Sequence, residues 1–435
     1  MRALSKPWCS QRVIWALLVA GVVSSACSSA APTPDQPTAI SPAPTPTAEV
    51  QVRLTRWSIR QDPPGALGFV SLVSGQESSE VVLEVSLVDK SGTARATGLV
   101  PALTPYLLRS SEAFFVASFP DGSSGTDLRV KVVSSRPAPQ AVETLMGSIV
   151  STAWLSGGGL SLVGRLENPS SRAIAPTGLV VVGLGVEGLP LAYAEGVFLA
   201  PILWPGELVP FRADVSMPGQ VHAWMILAHG LPLTYPRLGA ITLDGEIALR
   251  QDPQGRPFAI GRIINGSDSP RSVRVGILVT IEDEWLSLGV FETPTFLPPR
   301  STLPFVIDDF PGLEERLAAG DADWGDLNVE AFLNEVESDA AVIQLETEVT
   351  GYEVIGSRLY LRGQIRNEGP STIAAAAVVA GVLSAGGDLL TSGWAAPAER
   401  LAPSLSADFL LVMPVPKGAD LTLAEYDVRG FGIED

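Results

Sequence analysis

Four carboxylates lie close together in the sequence and could bind a metal ion: Asp321, Asp323, Asp326 and Glu330. Clustered oxygen donors of this kind are the ligands that Ca²⁺ prefers. The segment does not match an EF-hand loop, because its glycine is misplaced and its last glutamate comes too early. It belongs to an acidic run, residues 308–339, in which eleven carboxylates face one arginine, a net charge of −10. The two interpretations are a calcium site and a solvated acidic loop, and we favour the loop.

The two histidines, His222 and His229, are the remaining side chains that could act as bases or metal ligands. They are seven residues apart, so on one regular strand they point to opposite faces. A shared metal site would need His229 to lie past the strand end and a third ligand that the sequence does not indicate. The sequence contains no Gly-x-Ser-x-Gly elbow, phosphate loop or dinucleotide fingerprint. We therefore expect no enzyme, no metal and no cofactor.

The N-terminus has the pattern of an export signal. A basic start precedes the apolar residues 13–23, and small residues lead to Cys27. The small-residue run resembles a bacterial lipobox, although Ser24 stands where Leu is commonest, and the resemblance implies that Cys27 is lipidated. The alternative is an ordinary secretory signal that is cleaved near Ala26. The apolar core is too short to span a membrane as a helix.

We expect a tether after the leader, and the chain as a whole is strongly acidic. Residues 28–48 are rich in Pro, Thr, Ser and Ala, a composition that stays extended. The formal net charge is −18 and becomes −21 when the three basic residues of the leader are removed, which disfavours nucleic acid as a partner. Cys9 leaves with the leader, so the folded body has no thiol and depends on apolar cores.

A short segment of the form Gly-x-(Leu/Ile)-x-Asn recurs and sets the domain organisation. The first two copies are residues 164–168 and 261–265. The third copy is residues 363–367, in which Gln and Arg occupy the variable positions. Polar turns follow each of the three asparagines, which are Asn168, Asn265 and Asn367. A period of about 100 residues indicates tandem domains. We expect each asparagine to bond its own turn rather than a ligand.

A second shared feature is a proline six residues before a phenylalanine. The pairs are Pro205 and Phe211, Pro299 and Phe305, and Pro403 and Phe409. The proline indicates a turn, and the phenylalanine is expected to face the core. A first copy is degenerate: it keeps Phe115 but has Arg109 at the proline position and no asparagine, as is expected of a terminal domain.

Alternating strands surround these features. Val273, Val275, Ile277, Val279 and Ile281 point one way, with Arg274, Gly276, Leu278 and Thr280 between them. Six or seven such strands in about 95 residues predict immunoglobulin-like β-sandwiches. The fold class is therefore all-β, and residues 313–319 are expected to form one helical turn in the acidic insertion. The predicted segments are a signal peptide (1–26), lipidated Cys27 and tether (27–48), repeat 1 (49–137), repeat 2 (138–236), repeat 3 with the acidic insertion (237–343) and repeat 4 (344–435).

The order of these features resembles bacterial FxLYD-type and related Ig-like repeats of exported proteins. The resemblance extends over residues 50–432, and residues 85–92, Val-Ser-Leu-Val-Asp-Lys-Ser-Gly, are most similar to the strand-to-turn segment of that family. It implies a sandwich fold and a location in the cell envelope. It supplies no ligand and no catalytic residue.

Two of the predicted strands are unusual because neither of their faces is polar. Residues 179–182 of repeat 2 and 374–379 of repeat 4 are apolar or small on both faces, so both faces must be covered. A neighbouring repeat or a loop is the expected cover, and a partner protein is the alternative.

We therefore expect a non-catalytic, membrane-anchored envelope lipoprotein that binds protein or glycan. One alternative is an accessory ligand-binding lipoprotein of a transport or envelope-assembly complex. A less favoured alternative is a hydrolase with a carboxylate site in repeat 3.

Overall fold

The computed structural model describes residues 50–435 apart from 62, 140, 156–157, 217–218, 235–238, 283 and 399. The predicted signal peptide and tether, with Cys27, lie outside the described residues. The structure is all-β, with one short α-helix and one 3-10 turn among the described residues. Every sheet takes its strands from a single predicted repeat, except that the first strand of repeat 4 begins at Val342, two residues before the predicted boundary.

Repeat 1 is a pair of antiparallel sheets. Its strands are β1 (Gln51–Gln61), β2 (Pro64–Ser74), β3 (Ser78–Val88), β4 (Ala94–Pro101), β5 (Tyr106–Leu107), β6 (Ala113–Ser118) and β7 (Asp127–Pro137). One sheet has the order β1-β2-β6, and in the other β3 pairs with β4, β5 and β7. Along β3 the buried Val81, Leu83, Val85 and Leu87 alternate with more exposed residues, as the period of two predicts.

Repeat 2 repeats the two-sheet plan. Its strands are β8 (Glu143–Thr144), β9 (Met146–Trp154), β10 (Leu160–Glu167), β11 (Ile174–Leu184), β12 (Pro190–Glu195), β13 (Val197–Phe198), β14 (Leu208–Val215) and β15 (Ala223–Pro232). The orders are β13-β14-β10-β9 and β12-β11-β15-β8.

Repeat 3 adds a helix to the plan. Its strands are β16 (Ile241–Leu243), β17 (Ala248–Gln251), β18 (Pro257–Asn265), β19 (Arg271–Ile281), β20 (Glu284–Glu292), β21 (Thr302–Ile307) and β22 (Asn328–Glu337). In one sheet β18 pairs with β16, β17 and β21, and the other has the order β20-β19-β22. The predicted helical turn is confirmed as α1 (Leu313–Ala319), and a 3-10 turn follows at Trp324–Asp326.

In repeat 4 one long strand joins the two sheets. The strands are β23 (Val342–Ile355), β24 (Arg358–Arg366), β25 (Ile373–Leu383), β26 (Leu389–Ala398), β27 (Ser406–Pro414) and β28 (Glu425–Glu434). The start of β23 pairs with β28, and its remainder pairs with β24. The strand order is therefore β26-β25-β28-β23-β24-β27, with a strand that changes sheets at a corner.

Apolar packing inside each repeat holds the two sheets together. In repeat 4, for example, Leu359 and Leu361 of one sheet share a buried cluster with Val378 and Ala380 of the other. The four repeats each have a cluster of this kind. These are β-sandwiches without a disulfide in their described residues.

Apolar packing also continues between repeats through the outer faces of the sheets. Phe69 and Phe114 of repeat 1 share a cluster with Val180 and Val182 of repeat 2. This confirms that a neighbouring repeat covers the two-sided apolar strand of repeat 2. Val379 of repeat 4 likewise joins the cluster of repeat 3.

The outer face of repeat 3 is covered as well, which the sequence did not indicate. Its strand β19 looks mixed on the outside, yet Leu278 is fully buried and joins the cluster of repeat 2 together with Leu288. A Cβ on Gly276 would run into Leu199 of repeat 2. The small residue permits close packing, so β19 is buried on both faces. The sandwiches therefore form one continuous stack in chain order.

Candidate functional site

The three recurring asparagines lie in equivalent, fully buried positions at the end of a strand. The Oδ1 of Asn265 accepts a hydrogen bond from the Ser267 backbone N at 3.1 Å, an Asx-type turn. Its Nδ2 donates to the carbonyls of Ser269 at 3.0 Å and Leu297 at 3.3 Å. One side chain thus ties its own turn to the loop that precedes the next strand of the sheet.

The same bonds recur in repeats 2 and 4. Asn168 Nδ2 donates to Arg172 O (2.7 Å) and Leu203 O (2.9 Å), and Asn367 Nδ2 donates to Ser371 O (2.8 Å) and Leu401 O (3.0 Å). Their Oδ1 atoms accept from Ser170 N and Gly369 N, both at 3.0 Å. All polar atoms of the amide are used within the fold, so the asparagines act as turn framework.

The glycine of the segment faces the phenylalanine of the proline–phenylalanine pair. Gly261 is the cross-strand partner of Phe305, and Gly164 and Gly363 pair in the same way with Phe211 and Phe409. A Cβ at each of these glycines would lie under 3.0 Å from the ring. The two features of the sequence are therefore one contact, in which a ring covers a strand glycine.

Repeat 1 keeps this contact although it lacks the asparagine. Gly68 pairs with Phe115, and a Cβ there would again meet the ring. Half-buried Leu72 occupies the position of the asparagine. The glycine–phenylalanine contact is the more widely shared of the two features.

The calcium candidates are not brought together. Asp321, Asp323, Asp326 and Glu330 are all exposed and extend from the end of α1 along the 3-10 turn into β22. In the part of the chain that the structure describes, no three His, Cys, Asp or Glu side chains are arranged to hold a metal. The interpretation as a solvated acidic loop fits this placement.

Other carboxylates of the acidic run bind elements of the fold. Asp309 accepts a hydrogen bond from Arg212 at 2.6 Å, and Asp308 pairs with Arg358 of repeat 4. Glu335 accepts from the backbone N atoms of Ala240 and Ile241, both at 2.8 Å. Through these bonds the acidic insertion helps to hold the fold together, a role that its composition alone did not indicate.

Arg212 is the charged residue at the junction of repeats 2 and 3 that sequence reasoning missed. Its side chain is only 8% exposed, and it pairs with Asp214 at 2.9 Å and with Asp309 of repeat 3. Burial opposes its charge, but the two carboxylates outweigh this effect and raise the pKa of Arg212. No pattern in the sequence could reveal it, because Asp309 is 97 residues away.

The histidines have opposite surroundings, and the suggestion that His229 lies past a strand end is wrong. His229 lies within β15, and exposed His222 immediately precedes that strand. His229 is 1% exposed and meets repeat 1, where the Ser111 hydroxyl is 3.4 Å from its Nε2 and the Tyr106 ring lies edge-on. Burial lowers the pKa of His229. Its Nδ1 has no hydrogen-bond partner among the described residues.

The geometry of Ser111 and His229 does not match the serine–histidine arrangement of nucleophilic catalysis. A catalytic base needs a third group to orient its second ring nitrogen, and the described residues supply none. The pair is instead part of the packing between repeats 1 and 2.

Among the described residues, no helix has the length and apolar character that crossing a membrane would require. No family model matches the chain. No curated protein matches it either.

Among solved structures, the chain is similar to the native conformation of E. coli alpha-2-macroglobulin, with 10% identity and a TM-score of 0.14. The match covers 88% of this chain and 28% of that protein, so the chain spans less than a third of its length. Such low values transfer no function.

Proposed function

We propose that the protein is a non-catalytic, lipid-anchored extracytoplasmic protein that presents a binding surface for an envelope protein or glycan. In this proposal Cys27 holds the chain at a bacterial membrane, the Pro/Thr-rich segment is its tether, and the repeats belong with the FxLYD-type and Ig-like repeats of exported proteins. Two acyl chains or more on one cysteine are the condition for stable anchoring.

The observation that carries the proposal is the continuous stack of sandwiches. Apolar outer faces pack against each other between neighbouring repeats, as where Phe114 and Val182 share one buried cluster, and such packing favours a stack that moves as one body. A rigid stack suits a protein that holds a surface at a distance from its anchor.

Substitution of the two cysteines tests the anchor. Cys27→Ser is expected to move the protein from the membrane fraction to the soluble extracytoplasmic fraction, because the acylated thiol is lost. Cys9→Ser is the matched control and is expected to remain with the membrane. Cys27→Ser protein that still sediments with membranes would contradict the anchor.

A crosslinking pull-down from native envelopes tests the binding role. Enrichment of one envelope protein or polysaccharide by the full chain is the expected result, and a purified transport or assembly complex would favour the accessory role. Turnover of a glycoside or ester panel that is lost when the acids of repeat 3 are replaced would overturn the non-catalytic assignment.

A further inference from the structure

A cleft with unpaired positive charge lies where repeats 3 and 4 meet. Three segments contribute to it: β17, Trp324 of the 3-10 turn, and the loop after β27. The lining residues are Leu249, Arg250, Gln251, Trp324, Pro416 and Lys417. The backbone N of Lys417 donates to the Gln251 carbonyl at 2.8 Å, so the two repeats are bonded directly at the cleft. Junctions between domains are frequent places for ligand sites.

The charge of this cleft is opposite to that of the chain. Arg250 and Lys417 line it, and no carboxylate does. Neither cation forms an ion pair with a described residue, whereas many other arginines do. The chain has 47 acidic residues against 29 basic ones, so a cleft lined by two cations and no carboxylate is unexpected.

The Arg250 guanidinium also has an unmet hydrogen-bonding need. Its Nε is buried and has no partner among the described residues. A buried donor without an acceptor is destabilising. An anion in the cleft would supply acceptors for the guanidinium fork and a counter-charge for the Lys417 ammonium.

The other lining groups fit a sugar ring. Trp324 is half-buried and offers an aromatic surface, and Gln251 offers an amide that can bond hydroxyl groups. The cavity volume is about 240 Å³. This is below the roughly 300–1,000 Å³ of sites for drug-sized ligands, so the cleft suits a single ring.

We propose that this cleft binds an anionic sugar residue, a ring that carries a carboxylate or a phosphate group. The site deepens the proposed binding function and rests on it, because an envelope glycan would bring such a residue to the stack. Arg250 and Lys417 hold the anionic group, Gln251 bonds hydroxyl groups, and Trp324 packs on the ring.

Calorimetric titration of the full chain with four probes tests the proposal: D-glucuronate, glucose 6-phosphate, glucose and inorganic phosphate. At least one of the two anionic sugars is expected to bind about tenfold or more tightly than glucose, because a hydrogen bond to a charged group is lost with the neutral sugar. Whether glucuronate or glucose 6-phosphate binds better identifies the anionic group. Inorganic phosphate is expected to bind more weakly than the better sugar, because it makes no contact with Trp324.

Substitutions locate the binding. Arg250→Gln and Lys417→Gln are each expected to weaken the better anionic sugar about tenfold. Arg172→Gln is the matched control, because it removes one positive charge from an exposed side chain of repeat 2 without touching the cleft. Lys417 is exposed, so its substitution keeps the test valid should Arg250→Gln fail to fold.

Three results would overturn the site: no saturable binding of either anionic sugar, equal affinity for glucose, or unchanged affinity in Lys417→Gln. Inorganic phosphate that binds as tightly as the better sugar would also overturn it, since the ring would then contribute nothing. Failure here with a successful Cys27 fractionation and envelope pull-down would remove only this site. Failure of those two experiments would remove the proposed function.

Discussion

At the scale of single residues, the buried asparagines show how a polar side chain stabilises a turn. Asn265 is fully buried, and its amide bonds the Ser269 and Leu297 carbonyls and the Ser267 backbone N. Buried polar atoms of this kind are costly to leave without partners. The asparagine therefore stabilises the fold by satisfying backbone groups that would otherwise be unpaired.

Asn265→Ala is expected to destabilise repeat 3 by about 2–4 kcal/mol, because it leaves several buried backbone groups unpaired. Chemical denaturation of the full chain, followed by circular dichroism, measures the change. Asn328→Ala is the control: its side chain is exposed, and the same substitution is expected to have little effect. Equal loss in both variants would contradict the turn role.

Buried His229 gives the junction of repeats 1 and 2 a pH dependence. Burial lowers its pKa below that of the unfolded chain, so the fold favours the neutral ring. The unfolded state then binds more protons below about pH 6.5, the usual histidine pKa. The contribution of His229 to stability is therefore full above that pH and is lost as the pH falls.

Thermal melts at pH 5.5 and 7.5 check whether the stability of the protein falls as the pH falls. The full chain is expected to lose stability at pH 5.5, and His229→Gln is expected to lose less, because Gln does not titrate. His222→Gln is the control, since His222 is exposed and should keep the full pH dependence. An unchanged pH dependence in His229→Gln would count against the buried neutral ring.

At the scale of elements, a strand glycine and a cross-strand phenylalanine form one unit. A Cβ at Gly261 would lie 2.8 Å from the Phe305 ring, and Phe305 is fully buried. The unit recurs in all four repeats, whereas the asparagine recurs in three.

Gly261→Ala is expected to cost about 1–3 kcal/mol through overpacking against the Phe305 ring. Adding Phe305→Leu should relieve part of this cost. The loss of stability in the double variant is therefore expected to be smaller than the sum of the losses in the two single variants. Denaturation of the four proteins of the cycle measures the coupling. Gly325→Ala is the control because open space surrounds that position. Strict additivity would show that the ring is not what excludes the Cβ.

Strand positions were predictable where the period of two is clear and less so near turns. Strand β28, for example, begins only at Glu425, because residues 421–424 form a turn. The helical turn at residues 313–319 was found at the expected residues, with Gly320 in a left-handed conformation at its end. Local signals set element type, and neighbouring chain segments set the ends.

At the scale of the whole molecule, apolar contacts between neighbouring repeats turn four sandwiches into one stack. Val182 shows the principle, because it is fully buried against repeat 1 rather than inside its own sandwich. The exact boundaries between repeats remain predictions from the sequence, but side chains of neighbouring repeats pack directly against each other.

Val182→Lys is expected to separate repeat 1 from repeat 2, since burying an unpaired charge there costs about 3 kcal/mol or more. Limited proteolysis is expected to cut faster between β7 and β8 in this variant. Val186→Lys is the matched control, because Val186 is 84% exposed near the end of the same strand. Unchanged cleavage in Val182→Lys would mean that the stack does not depend on this contact.

Local periodicity and residue type were sufficient to predict the all-β class, the repeated turn units and the need for cover on the strands of repeats 2 and 4. Tertiary structure was needed to show that the preceding repeat covers each of these strands, that Leu278 is buried despite a mixed strand face, and that Arg212 pairs with Asp309. It also placed Arg250 beside Lys417, which are 167 positions apart in the sequence. The physical reason is that outer faces and charge pairs gain their partners only when distant segments pack, and no local pattern records which segments those are.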